Sequence, residues 1–349
     1  MREVSSTTNS NVLLFGYWPL SRASAIKIDN LDKRLTLNSI MNNFIYQTRF
    51  PVLSYKGDEI LPAGAILDEK TLKGLKSHSM DRRLYPIGFS DMVRTDLEGF
   101  LDNPPYSEIF RDTESRDHIF AMLKKIHIPR CTVEVAEYFR EKDFYTYRHM
   151  LVVFAISTHL VSLLSPTWDY SRTIIASTAH DIGKCSIPVN LLKKETPLTR
   201  SEHEQIEHHT FAGFALIHYY TNNSDTDLAS RVARDHHERR DGSGYPAGLT
   251  TIDRMIEIVI ASDMYDALVS SRPYRCEPYD NRSALEELSA SALHGKISSE
   301  TVQALVASNR KKHTDWRECV ISNEKRGFAP KGNNYGILAD DEEGNQAET

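Results

Sequence analysis

The stretch His180-Asp181-Ile182-Gly183-Lys184 decides how this chain is read, because His209, the pair His236-His237 and Asp263 follow it a little under thirty residues apart. Imidazole and carboxylate are metal-ligand groups, and each falls in or at the edge of a segment that reads as helix. A bundle that points such side chains inward can hold a metal cluster. Adjacent residues on one helix differ in direction by about 100°, so a His-Asp pair on a helix can serve two neighbouring ions. One such pair carries little information; the recurrence of the set carries much more.

Working outward, the sequence is helical from about residue 117. Ile119, Met122, Leu123 and Ile126 form a stripe of helical period. Val133, Ala136, Glu137 and Phe139 predict a second helix, residues 145–164 a long apolar one, and residues 171–181 one that leads into the His-Asp pair. Thr199-Arg200-Ser201-Glu202 fits a capping box that opens a helix to about Tyr220. Segments 228–238, 252–268, 283–294 and 298–309 complete the series, punctuated by Pro188, Pro197 and the loop at 241–249. The fold class is therefore mainly α, with a small α/β N-terminal region. There, residues 50–55 predict a strand, Gly57-Asp58 a turn, residues 59–66 a returning strand, and Asp68 a cap for a short helix through Lys76. Residues 81–115, rich in Pro, Gly and charge, read as an irregular connection. The chain divides into an N-terminal region (1–128), a helical domain (129–312) and a polar tail (313–349) that reads as disordered and contains Asp340-Asp341-Glu342-Glu343.

Bulk properties exclude several classes. The 349 residues are 40% hydrophobic and 26% charged, with net charge −6 and pI near 6.2. A DNA-binding protein would carry a basic surface, whereas a small anionic ligand remains compatible because bound cations dominate a local field. Cys131, Cys185, Cys276 and Cys319 are scattered, with no C-x-x-C pair. That argues against a disulfide framework or zinc ribbon and for a reducing, cytoplasmic setting. The first eleven residues are polar, unlike a signal peptide. The apolar run 150–164, broken by Ser157, Thr158 and His159, is shorter than the roughly 20 residues that span a bilayer; it reads as a core helix, with no membrane partner.

The region from about Tyr147 to Asn309 resembles the HD-GYP domain, a branch of the HD phosphohydrolases. Three motifs carry the likeness. They are the His180–Lys184 run, the segment His236-His237-Glu238-Arg239-Arg240-Asp241-Gly242-Ser243-Gly244-Tyr245-Pro246, and Asp263-Met264-Tyr265-Asp266-Ala267-Leu268 followed by Arg272-Pro273-Tyr274-Arg275. Order, spacing and loop lengths agree. The resemblance implies an HD-type helical bundle, a di- or trinuclear metal site favouring iron or manganese, and hydrolysis of cyclic di-GMP to linear pGpG and on to GMP. Its ligand pattern lands on His149, His180, Asp181, His209, His236, His237 and Asp263, with Asp181 bridging two ions. Some relatives place a Glu, a ligand to a third ion, four residues before the first histidine. Here that position is Tyr145, a poor ligand for a hard cation, so two ions are expected.

Two cations acidify a water that attacks phosphorus in line, and neutralise the non-bridging oxygens. Imidazole and carboxylate ligands without thiolate suit iron, manganese or zinc. With His180 and Asp181, Lys184 belongs to the catalytic set. If the helix continues, Lys184 lies one turn from His180 and offers its ammonium to a phosphate oxygen; otherwise it is a solvated lysine at a helix end. Tyr245 presents a ring and hydroxyl to substrate or packs in a tight turn, and Gly242 and Gly244 permit close backbone approach. Arg272 and Arg275 suit phosphate and the guanine edge, or bridge at the surface. Asp266 falls behind the ligands rather than among them. His203, His208 and His218 are off the pattern, and Cys185 reads as a small hydrophobe. The resemblance also implies that the Gly242–Pro246 loop docks GGDEF-type diguanylate cyclases. Alternatives remain open. The substrate is another cyclic dinucleotide, or the protein is a non-catalytic cyclic di-GMP receptor. The N-terminal region senses a signal, forms a homodimer, or caps the bundle.

Overall fold

The segment FYTYRHMLVVFAISTHLVSLL is apolar on all sides, and a helix of that kind belongs inside. In the computed structural model it is a single helix, Phe144–Leu164, buried from Thr146 almost to its end. By length and composition it could cross a membrane, but 83% of its most apolar window is buried within the protein itself. It is the core helix on which the others are laid.

The structure describes residues 25–27, 44–77, 84–86, 91–125, 127–165, 170–221, 227–272, 275, 277–311, 315–331 and 338–339. The strands are short: β1 (Ala25–Lys27), β2 (Phe44–Gln47), β3 (Val52–Leu53), β4 (Glu59–Leu61), β5 (Ile66–Leu67), β6 (Leu84–Pro86) and β7 (His127–Pro129). The helices are α1 (Glu69–Ser77), α2 (Asp91–Leu101), α3 (Tyr106–Ile109), α4 (Thr113–Lys125), α5 (Arg130–Lys142), α6 (Phe144–Leu164), α7 (Tyr170–Ala179), α8 (Val189–Leu192), α9 (Arg200–Glu207), α10 (His209–Tyr220), α11 (Asp227–Asp235), α12 (Arg254–Val269), α13 (Asn281–Leu293) and α14 (Ser299–Ser308). Helix α6 packs against α5, α7 and α12, while α11 packs against α7 and α10.

Among the described residues these strands pair antiparallel, β1 with β2, β2 with β5, β3 with β4 and β6 with β7, and Leu198 and Leu338 form a parallel bridge. The turn expected at Gly57-Asp58 closes β3 on β4, with Gly57 at φ 87°. The Asp68 carboxylate accepts the Thr71 N–H at 2.7 Å and caps α1 as expected. The capping box is complete: Thr199 Oγ1 accepts from Glu202 N–H, and the Glu202 carboxylate accepts from Thr199 N–H.

Four expectations need correction. Residues 91–101 and 106–109 are helical, not irregular, and the helix expected from about 117 begins at Thr113; Leu97 and Leu101, four apart and both fully buried, supply the apolar face of the first. The helix expected to run through the His-Asp pair stops at Ala179, and Ile182–Ser186 forms a 3-10 turn. The helix expected from residue 199 to Tyr220 is two helices that meet at His208. Part of the tail read as disordered is ordered. Trp316 Nε1 donates to the Leu163 carbonyl at 3.2 Å, Lys325 pairs with Glu287 at 2.6 Å, and Gly327 N–H bonds Glu286 at 2.8 Å. Residues 332–337 and 340–349 lie outside the described set.

Candidate metal centre

The seven candidate ligands come from α6, from its neighbours α7 and α12, and from α10 and α11, which pack on each other while α11 also packs on α7. His149 is mid-helix on α6. His180 and Asp181 lie just past the end of α7, and His209 opens α10. His236 and His237 lie just past the end of α11, and Asp263 is on α12. Glycine makes the assembly close. A Cβ on Gly183 would lie 1.9 Å from the His209 carbonyl oxygen and 2.4 Å from the Gly213 nitrogen. Only a bare backbone lets the 3-10 turn press onto α10 and bring Asp181 to His209.

The ligands form two groups. His149, His180 and Asp263 bring one ligand atom each within 4.8 Å of one another, as do His209, His236 and His237. Asp181 stands between. Its Oδ2 is 3.5 Å from His149 Nε2 and 3.4 Å from His180 Nε2. Its Oδ1 is 3.5 Å from His209 Nε2 and 3.7 Å from His236 Nε2. Asp263 Oδ1 lies 3.1 Å from His149 Nε2.

The other face of four of the five imidazoles is fixed. Nδ1–H of His180 donates to the Ser177 carbonyl (2.7 Å), that of His209 to Ile206 (2.6 Å), that of His236 to Val232 and Ala233 (3.0 and 3.1 Å), and that of His149 to Asp266 Oδ2 (2.6 Å). Since Nδ1 carries the proton, Nε2 presents a lone pair. Two such pairs then face each other, His149 to His180 at 3.3 Å and His209 to His236 at 3.2 Å. Opposed lone pairs repel unless a cation lies between them. With metal–nitrogen bonds of about 2.1 Å, neighbouring ligands sit about 3 to 3.4 Å apart. Asp181 Oδ1 is buried with no hydrogen-bond partner, which a buried carboxylate oxygen tolerates poorly. The residues present fit a pair of cations.

Electrostatics prepare the same state. Burial, reinforced by neighbouring histidines, pushes His236 down to about 3. Burial pushes His209 down to about 4, against the attraction of Asp181, and holds His237 well below its usual range. Burial opposes ionisation of Asp181, but Lys184 and His180 outweigh it and hold the carboxyl far below its ordinary value. Asp263 is likewise held low, burial being overcome by the histidines around it, His149 first. At neutral pH the carboxylates are ionised and these three imidazoles neutral, the forms that bind metal.

Around the ligands, Lys184 Nζ sits 2.6 Å from Asp181 Oδ2. The break after α7 places it on the carboxylate rather than on a helix face shared with His180. Tyr245 stacks on His237, ring centres 4.6 Å apart and planes within 17°. Its loop is held by buried Glu238, whose carboxylate accepts the N–H of Ala247 (2.6 Å) and Leu249 (2.8 Å). A Cβ on Gly244 would fall 2.4 Å from the Glu238 Cα. Tyr145 stacks on His149 at 5.9 Å and 13°, and the Arg272 guanidinium lies 5.1 Å from the Tyr145 ring centre. Arg275 differs from its expected role. It is 3% exposed and donates to the carbonyls of Ala267, Leu268 and Ser270, so its fork closes the end of α12 rather than facing a ligand.

His203 and His208 stay outside both groups, as does His218, whose Nδ1 bonds the Phe214 carbonyl. Cys185 also lies outside both groups, and burial pushes its thiol up to about 12. Sequence reading missed Arg148, Tyr106 and Ser270, which gather behind His149, and the stapling role of Glu238. Arg148 adjoins a ligand histidine and so carried a signal; Tyr106, far upstream, carried none.

Residues 133–300 match the HD domain family. The chain is 34% identical over 211 residues to the cyclic di-GMP phosphodiesterase of Thermotoga maritima, covering 59% of this chain and 53% of that protein. It is 39% identical over 103 residues to the cyclic di-GMP phosphodiesterase response regulator RpfG of Xanthomonas campestris, covering 29% and 27%. It is 32% identical over 137 residues to the 3'3'-cGAMP-specific phosphodiesterase 1 of Vibrio cholerae, covering 38% and 31%. The chain thus spans about half the length, or less, of these curated relatives.

Proposed function

From the match of residues 133–300 to the HD domain family and the likeness to cyclic di-GMP phosphodiesterases, we propose that this chain is a metal-dependent phosphodiesterase of the HD-GYP branch that hydrolyses cyclic di-GMP to pGpG and on to GMP. The observation that carries this reading is the pair of ligand groups joined through the two oxygens of Asp181. His149, His180 and Asp263 would hold one ion, and His209, His236 and His237 the other. Tyr145 stands where a third would need a carboxylate, so the site takes two. Iron or manganese suits this thiolate-free donor set. When bound, the ions lower the pKa of water and offset charge on the phosphoryl oxygens.

The protein groups have their own tasks. Lys184, 14% exposed at its side chain, is placed to meet a non-bridging phosphate oxygen as a point charge. Arg272, held over Tyr145, offers a planar fork at the rim. Tyr245, fixed against His237 by stacking and by its N–H bond to the His237 carbonyl at 3.2 Å, offers a flat face to a guanine. The Gly242–Pro246 loop is the surface through which a GGDEF-type cyclase would dock. Among the described residues Cys131, Cys185 and Cys319 are buried and free, which suits a reducing cytoplasm.

The named activity of the Vibrio cholerae relative supports a second substrate, 3'3'-cGAMP. Both are tested together by incubating anaerobically reduced, manganese- or iron-loaded protein with each dinucleotide and separating products by chromatography. Release of pGpG and GMP at the higher kcat/KM from cyclic di-GMP is expected. Preference for 3'3'-cGAMP would move the substrate, and no turnover of either would remove the proposed activity.

A further inference from the structure

Behind the metal centre lies a buried polar network that reaches outside the matched domain. Asp266, fully buried, accepts His149 Nδ1–H on Oδ2 at 2.6 Å. Its Oδ1 accepts the hydroxyl of Tyr106, which is 4% exposed and lies on α3, upstream of residue 133. Arg148 Nη1 donates to the Tyr106 oxygen at 2.9 Å, and its Nη2 lies 3.3 and 3.4 Å from the two Asp266 oxygens and donates to Ser270 Oγ. Ser270 Oγ is 3.2 Å from the Tyr106 oxygen.

Proton accounting fixes the directions. Arginine only donates, so the Tyr106 oxygen receives from Arg148 and spends its single proton on Asp266. Ser270 receives from Arg148 and gives its proton to Tyr106. The carboxylate is therefore gripped on both oxygens, by His149 on one side and Tyr106 on the other. Without the phenol, Oδ1 keeps only the long Arg148 contact, and the carboxylate can turn about its Cβ–Cγ bond and carry the His149 ring with it.

We infer that Tyr106 is a positioning residue of the metal centre. Through Asp266 it holds His149 with Nε2 aimed at Asp263 and Asp181, so the segment before the domain completes the site. Partners behind a ligating histidine set its orientation and basicity, and their loss typically weakens metal binding 10- to 100-fold. Tyr265 provides the comparison. It is an equally buried tyrosine next to Asp266 on α12, but its hydroxyl bonds Asn281 (2.8 Å) and Asn309 (3.4 Å) and reaches no ligand.

The inference rests on the reading of the site as a metal centre, and the test separates the two. Mn2+ binding to the full-length chain is measured by competition with a chelator, for the wild type, Tyr106→Phe, Tyr265→Phe and Ser270→Ala. Tyr106→Phe is expected to weaken Mn2+ binding about 10-fold or more. Ser270→Ala, which loosens the same phenol, is expected to weaken it several-fold, and Tyr265→Phe to leave it unchanged. Metal-free melting temperatures of the two Tyr→Phe variants should fall alike. Should Tyr106→Phe fail to fold, Ser270→Ala decides. Wild-type affinity in both Tyr106→Phe and Ser270→Ala, or equal weakening in Tyr265→Phe, would overturn the role of Tyr106 while leaving the metal centre intact. A wild type that binds no Mn2+ would remove both.

Discussion

Among the ligands, Asp181 faces both groups, one carboxylate oxygen to each side. Asparagine has the same shape but no charge, and it aims an amide N–H₂ at lone pairs on one side. Asp181→Asn should therefore empty both sites, not one. Bound manganese or iron should drop from two ions per chain to fewer than one, and hydrolysis should fall at least about 100-fold. Elemental analysis of protein purified without air reads the first, and product chromatography the second. Full metal content in the variant would show that the two groups fill independently and that the bridge is only geometric. The identities of these side chains were legible in the sequence because recurrence singled out all but His149, which the family resemblance supplied. Which oxygen serves which group was not, because that depends on where the preceding helix stops.

That stopping point is a property of elements. Helix α7 ends at Ala179, and the 3-10 turn that follows packs on α10 through Gly183 and Gly213. The obstacles to a Cβ at Gly183 are backbone atoms of α10, which cannot rotate aside as a side chain can. Gly183→Ala should therefore cost at least about 3 kcal/mol, at the upper end of overpacking effects, and should lose metal along with stability. A urea midpoint within error of the wild type would show the turn and α10 to be loosely joined. The Gly242–Pro246 loop gives the opposite case. Glu238→Gln replaces one of two carboxylate oxygens that each accept a loop N–H, so one bond is lost and the loop slackens. Metal content should hold while KM for the dinucleotide rises several-fold; an unchanged KM would disconnect the loop from substrate. Helical stripes made most of these elements readable, and the capping box at Thr199 fixed a helix start to the residue. The misreadings share a cause: α2, with charges between its apolar positions, hides its periodicity, and an arginine such as Arg275 looks the same in sequence whether it faces a phosphate or three carbonyls.

For the whole molecule, the described N-terminal residues contact the helical domain around the site. Ser186 Oγ, just past Lys184, donates to the Leu53 carbonyl at 2.7 Å and accepts its N–H at 3.1 Å. Tyr55 bonds Glu134 at 2.6 Å, Arg49 pairs with Glu204 at 3.0 Å, and the buried Arg234 guanidinium lies 5.3 Å from the Tyr46 ring centre. No periodicity signals such contacts, since they join residues 79 or more positions apart. The core that results also buries a titratable group away from the metal centre. His159 on α6 is 8% exposed, bonds Ser308 Oγ on α14 at 2.9 Å and meets the Phe110 ring edge-on at 5.6 Å. Burial pushes it down to about 4, against the attraction of Asp112 and with repulsion from His118. An unfolded histidine titrates near 6.5, so below that pH the unfolded chain takes the proton first. Stability contributed by the neutral ring is present above about pH 6.5 and lost as pH falls toward 4, by up to about 1.4 kcal/mol per unit and about 3 kcal/mol in all. Glutamine keeps a partner for Ser308 but has no such proton. Urea midpoints of chelator-treated wild type and His159→Gln at pH 7.5, 6 and 5 should converge as pH falls, the variant losing about one proton's worth less per unit. The other low-titrating histidines, His203, His208, His209, His236 and His237, remain in both proteins and preserve the rest of the slope. Parallel profiles would mean that His159 reaches solvent in the native state and that α6 and α14 part there more readily than their packing suggests.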